Sequence, residues 1–269
     1  MVGRAGLCVI VFMALMLQLN AQVAGFVNTL NQLQDARVKS LDEFVERFNA
    51  KEVPTFIRNS SAPQNRQTYI KALFDTSLYH NDNVTRISTI DDFVSAVVAD
   101  SIFLNMHDTT CYAEAHCLFT YKGKDVDVNI VLQYENIRDN YYDWAIVGVN
   151  GLDKIGFLNS DRNGYISPIQ HEFHFAELSR AFPHMIDYCK LSYDIDQLSY
   201  LIALVEEGIL RYRTCIYHQY YFFSVPKYLF IVSHKNRAEA NSGWLISEVL
   251  EVPMGEEKSV ISSLLGRHY

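Results

Sequence analysis

Apolar residues recur at helical spacing early in the chain and at strand spacing after it. In 40–49, Leu41, Phe44, Val45 and Phe48 fall on one face of a predicted helix. Ser40 stands at its cap position and Glu43 follows three residues later, the pattern of a capping box. The same spacing predicts helices over 65–77, with Tyr69, Leu73 and Phe74 on one side, and over 88–100, capped by Ser88 or Thr89. The period then changes to two. Cys111–Tyr121 and 126–134 flank the turn Lys122-Gly123-Lys124-Asp125, which predicts a hairpin. Val126, Val128, Ile130, Leu132 and Tyr134 alternate with polar positions, as a strand with one buried face should. After a polar break, 144–149 gives a further strand.

The second half repeats this order: a helix over 194–210, strands over 212–225 and 227–234, and a last strand over 244–249. Ile90-Asp91-Asp92-Phe93 matches Ile195-Asp196-Gln197-Leu198, and Cys117 matches Cys215. Trp144, Ile146 and Val149 match Trp244, Ile246 and Val249. The offsets of 105, 98 and 100 residues nearly keep the spacing and predict a tandem repeat. Helices followed by a strand meander, twice, give an α+β chain of two similar halves, each with helices packed on a curved antiparallel sheet. The expected boundaries are 26–152 for the first α+β domain, 153–168 for a linker and 169–269 for the second.

The helix–hairpin–strand order in 40–149, and more weakly in 194–252, resembles the nuclear-transport-factor-like superfamily. That resemblance implies a cone of helices on a bent sheet. No residue signature accompanies it, so it implies architecture and no catalytic residue. The superfamily includes isomerases, dehydratases and domains without activity, and a fold alone does not choose among them.

The N-terminus adds a location. Arg4 precedes an apolar run over 7–19, and Ala21 offers a small residue for cleavage, so 1–21 reads as a signal peptide. The run falls short of the roughly 20 residues a transmembrane helix needs. An exported chain, periplasmic or secreted, with no membrane span after processing is the expectation. Composition is that of a globular protein, 49% hydrophobic and 20% charged with 17 Tyr and 16 Phe. A formal charge of −8 without any Lys/Arg cluster argues against nucleic acid as a partner.

Of the 5 cysteines, Cys8 lies in the leader, leaving Cys111, Cys117, Cys189 and Cys215. Cys111 and Cys117 share one strand, about 20 Å apart, and cannot bridge each other. Cys189–Cys215 is the pair to test as a disulfide, since connectivity does not follow from sequence.

Candidate chemistry is sparse. Residues 159–170 put Asn159, Asp161, Asn163 and Gly164 at calcium-loop positions. Yet Asp161 is the sole certain carboxylate, Gln170 replaces the clamping acid and Pro168 interrupts, so the expectation is a turn. His171, His174 and Glu177 recur at three-residue intervals, but the helix they share must also bury Phe175, Leu178 and Phe182. No metal and no cofactor are expected. Acid–base candidates are His107 with Asp108, Glu114 with His116, and Asp143. Ala113, Ala115, Cys117 and Phe119 form the better core face of their strand, which turns Glu114 and His116 toward solvent or a partner. Asn59-Ser60-Ser61 and Asn83-Val84-Thr85 are glycosylation sequons. Aromatic residues on both faces of 217–223 call for cover on both faces, and the expected arrangement is sheet against sheet within a monomer, an internal pseudo-dimer. The functional expectation is non-catalytic binding of a small molecule or an envelope partner. The alternative is a pocket enzyme of isomerase or dehydratase type.

Overall fold

A computed structural model describes residues 37–80, 84–105, 107–138, 141–155, 188, 196–236 and 241–267. The predicted signal peptide, the 159–170 loop, His171, His174, Glu177, Cys189 and most of the linker lie outside these residues.

The chain is α+β. In order it forms α1 (Leu41–Phe48), α2 (Thr55–Arg58), α3 (Arg66–Lys71), α4 (Ser77–His80) and α5 (Val84–Ala99). Then come β1 (Cys111–Tyr121), β2 (Lys124–Arg138), β3 (Tyr141–Asn150) and a 3-10 turn at Leu152–Ile155. The rest is α6 (Gln197–Glu206), β4 (Leu210–Val225), β5 (Tyr228–Lys235), β6 (Gly243–Glu251) and α7 (Glu257–Leu264). The strands make one antiparallel sheet in the order β3-β2-β1-β4-β5-β6. Among the described residues no helix is long and apolar enough to cross a membrane.

Two compact units divide the chain, and neither is a continuous half. One comprises 1–110 with 222–251; the other comprises 111–221 with 252–269. The sequence reading had placed the domains one after the other.

In the first unit, Ser40 Oγ accepts from Glu43 N–H, and the Glu43 carboxylate accepts from Lys39 N–H at 2.8 Å, so the predicted cap forms. The stripe it starts buries Phe44 and Phe48 completely, Phe48 stacking on Phe230 of β5 at 5.8 Å. Phe93 of α5 meets Phe230 at 5.3 Å and Phe74 at 6.0 Å, and Phe222 stacks on Phe230 at 4.9 Å. The outer edge of β6 is taken up by short bridges. Trp244 N–H donates to Val38 O at 2.9 Å, and Ile246 N–H to Leu73 O at 2.8 Å.

In the second unit β1 and β2 pair in register from Tyr112↔Gln133 to Tyr121↔Lys124. The two-residue turn between them has Lys122 at φ 48° and Gly123 at φ 77°, a type I′ hairpin turn. Cys117, Phe119, Val128 and Val149 form one core with Leu201 and Leu204 of α6. The predicted core face of β1 is therefore the buried one. Among the described residues of this unit its cover comes from α6. α7 ends close to β3. A Cβ built at Gly148 would lie 2.8 Å from the Leu265 backbone, and Asn150 Nδ2 donates to Leu264 O at 2.6 Å.

Trp144 stacks on Tyr134 at 3.9 Å, with Tyr220 at 6.0 Å, and Trp244 meets His234 edge-on at 5.3 Å. One expectation is corrected. The aromatic stretch 217–223 was to be covered by sheet-on-sheet packing, whereas β4 takes its place beside β1 in the same sheet. Phe222 and Phe223 are buried, while Tyr217 is 52% exposed.

Candidate binding face on the central strands

Within the second unit the orientation of β1 follows from its period. With Cys117 and Phe119 committed to the core under α6, Glu114 and His116 must point to the opposite face. Asn129 of β2 stands opposite His116 in the register. On β4, Tyr217, Gln219 and Tyr221 alternate and so share a face, and contacts bring that face to Glu114.

Glu114 is buried, 6% exposed, where the sequence reading turned it toward solvent or a partner. Its Oε1 accepts from Asn129 Nδ2 at 3.0 Å. Its Oε2 accepts from Gln219 Nε2 at 3.0 Å and from the Tyr221 hydroxyl at 2.5 Å. Gln219 Nε2 also donates to the Tyr221 oxygen at 2.5 Å. A carboxylate out of water is tolerated when donors replace its hydration, and three neutral side chains do so here. Burial, and next the hydrogen bond to Glu114, push the Tyr221 hydroxyl far above its ordinary value. Tyr221 is thus a donor held in its protonated form.

His116 completes the group. Its Nε2 lies 3.3 Å from Glu114 Oε2, close enough for a charge pair when the ring is protonated. That nitrogen is enclosed and has no hydrogen-bond partner among the described residues. The imidazole stacks on the Tyr217 ring at 4.0 Å between centroids and 19° between planes. The surface over this network is therefore a phenol ring lying on an imidazole, with the carboxylate beneath.

His107 and Asp108 lie in a turn of the first unit, and Asp143 lies on β3 of the second. Asp108 Oδ1 accepts from Thr110 N–H at 2.9 Å as a strand-entry turn, and Thr110 Oγ1 contacts Ser224 Oγ at 2.9 Å, all in the first unit. His107 N–H donates to Asn105 Oδ1 at 3.2 Å in the same turn. Asp143 is exposed and accepts from Trp144 N–H at 2.9 Å. Among the described residues no cluster of His, Cys, Asp and Glu is arranged to hold a metal. A shallow groove along α7 is lined by Lys258, Ser259, Ser262 and Arg267 and contains no paired acid and base.

Sequence reasoning named Glu114 and His116 but missed Asn129, Gln219 and Tyr221. The alternation of Tyr217, Gln219 and Tyr221 was visible. The adjacency of β4 to β1 was not, because it joins segments about a hundred residues apart. No protein family, characterised protein or solved structure matches the chain.

Proposed function

We propose that this chain is an exported, non-catalytic binding protein that presents the Tyr217–His116 face of β1 and β4 to a small molecule or an envelope partner. The observation that carries the reading is the state of Glu114. Its two oxygens accept from Asn129, Gln219 and Tyr221 out of water, so it acts as a strut beneath the face. Tyr217, held flat on His116 and half exposed, supplies a rigid aromatic platform of the kind that anchors ligands with little loss of side-chain freedom. Export rests on the N-terminal pattern of 1–21.

Native mass spectrometry of the processed protein tests this. A retained mass in the wild type that is lost in Tyr217→Ala, with the melting temperature unchanged, is expected. Retention that ignores Tyr217→Ala removes the face from consideration.

One observation favours the second reading, a pocket enzyme of isomerase or dehydratase type. His116 Nε2 lies 3.3 Å from the buried Glu114 carboxylate, a sequestered ionisable pair of the kind found at acid–base sites.

We further propose that the chain is a duplicated α+β unit acting as a monomer, of the architecture the nuclear-transport-factor-like resemblance implies. Its support is a shared register. Tyr134↔Trp144, Leu132↔Ile146 and Val131↔Gly148 in β2–β3 have counterparts in His234↔Trp244, Val232↔Ile246 and Ile231↔Glu248 in β5–β6. Both pairs of strands carry an irregularity at the same step. Sedimentation at one mass over a wide concentration range is the expected result.

A further inference from the structure

β4 has 16 residues and β5, the strand beside it, has 8. Residues 226 and 227 turn the chain from Val225 straight into Tyr228, with Lys227 at φ 66°, so β5 runs alongside β4 only as far back as about 218. Over 211–217, β4 has β1 on one side and, among the described residues, no strand on the other. Every residue from Arg211 to His218 is exposed. Half of the backbone N–H and C=O groups of such a stretch point away from its paired neighbour, an open row of donors and acceptors. The two faces of this edge differ. Tyr212 meets Phe119 at 5.6 Å, on the side of the sheet that α6 covers, and Tyr212 and Ile216 stay 56% and 57% exposed. Ile202 and Val205 are exposed on α6, and Ile209 on the turn that leads from it into β4. Arg211 and Arg213 alternate onto the opposite face. Arg213 holds Asp125 at 2.8 and 3.0 Å, whereas Arg211 makes no ion pair among the described residues, its Nε donating to Gly208 O at 3.3 Å.

We propose that the 211–217 edge of β4 takes an extended peptide segment of a partner protein as an added strand. The segment turns apolar side chains toward Tyr212 and Ile216 and sets an acidic side chain against Arg211. Main-chain bonds to the open row of donors and acceptors supply the affinity, and alternate side chains supply the specificity. Charge argues for an acidic partner and against a second copy of this chain. Pairing the edge with itself brings the arginines of both copies onto one face, where like charges repel. The edge needs nothing from the Tyr217–His116 face, so strand addition and binding at that face can each fail alone.

The test uses short amidated peptides of alternating valine and threonine. One opens with a pair of glutamates, a second has lysines in their place, and a third repeats the first with alternate backbone nitrogens methylated. Titration calorimetry on the processed protein reads binding, and hydrogen exchange at 211–217 reads its place. The glutamate peptide should bind and slow exchange at 211–217 several-fold. The lysine peptide should bind about threefold or more weakly, the scale of exposed charge pairs, and the methylated peptide should not bind. Arg211→Glu, altered at an exposed position, should reverse the order of the glutamate and lysine peptides. Unchanged exchange at 211–217 with the glutamate peptide overturns the proposal, as does equal binding of the methylated peptide or indifference to the end charge. A dimer in sedimentation that protects the same amides without peptide also overturns it and assigns the edge to a second copy.

Discussion

In β2–β3, Trp144 faces Tyr134 and Ile146 faces Leu132; in β5–β6, Trp244 faces His234 and Ile246 faces Val232. The backbone pattern is the same and the burial is reversed. Ile146 is 49% exposed, whereas Ile246 is fully buried with Phe74 bridged to it. At the other end, Val149 is fully buried in the core under α6 and Gly148 lies against Leu265, while Glu248 is exposed. The difference teaches that register and side-chain pairing are written in the hairpin itself, but which end becomes core is decided by the helices that arrive from elsewhere.

The largest effect expected is at the isoleucine pair. Ile246→Ala should cost about 2–5 kcal/mol by urea unfolding, the usual range for a large buried aliphatic, and Ile146→Ala no more than about 0.5 kcal/mol. Equal costs would break the comparison.

Next comes Tyr221→Phe, which removes a donor from buried Glu114 and should cost about 1.5–3 kcal/mol at neutral pH. Its pH dependence has a definite sign. The folded-state value is raised above that of the unfolded chain, so this stabilisation is complete below about pH 10 and is lost as pH rises further. Tyr221→Phe should therefore lose less stability than the wild type between neutral and strongly alkaline pH.

Gly148→Ala sharpens the comparison at the distal end. A methyl group 2.8 Å from the Leu265 backbone should displace the end of α7 and cost about 1–3 kcal/mol, with Glu248→Ala near neutral. Hydrogen exchange localised to 257–267 is the readout.

The smallest effect concerns the helix over the first hairpin. Asp196 accepts from Ser199 N–H at 3.2 Å as the cap of α6, and hydrogen bonds from Ser199 lower its carboxyl below the ordinary range. Asp196→Ala should cost about 0.5–2 kcal/mol. That contribution is present above about pH 4 and fades as pH falls, so wild type and variant should converge in acid. Faster exchange should follow in the core under α6, with the Ile246 end unchanged.

What was legible in the sequence were the elements whose signal is local. The Ser40–Glu43 cap, the Lys122-Gly123 turn and the alternation in β1 and β2 needed only near neighbours to be read. α7 carried too weak a pattern, with Ser259, Ser262 and Ser263 interrupting Val260, Ile261 and Leu264. The pairing of β1 with β4, and the packing of α6 onto β1–β3, depend on contacts far apart in the chain, where local periodicity is silent. Glu114 and His116 were therefore read as a pair facing solvent or a partner, because the three residues that bond the carboxylate come from β2 and β4.

The most direct test of the account is Glu114→Gln, measured for both thermal stability and retained mass. An amide in place of the carboxylate sets an N–H₂ against the donors of Tyr221, Gln219 or Asn129 and should cost about 1–3 kcal/mol. The account predicts a clear fall in melting temperature for Glu114→Gln, while loss of bound mass tracks Tyr217→Ala instead. A Glu114→Gln protein as stable as the wild type but unable to turn over a substrate that Tyr217→Ala still processes would contradict it, and would make Glu114 a reacting group.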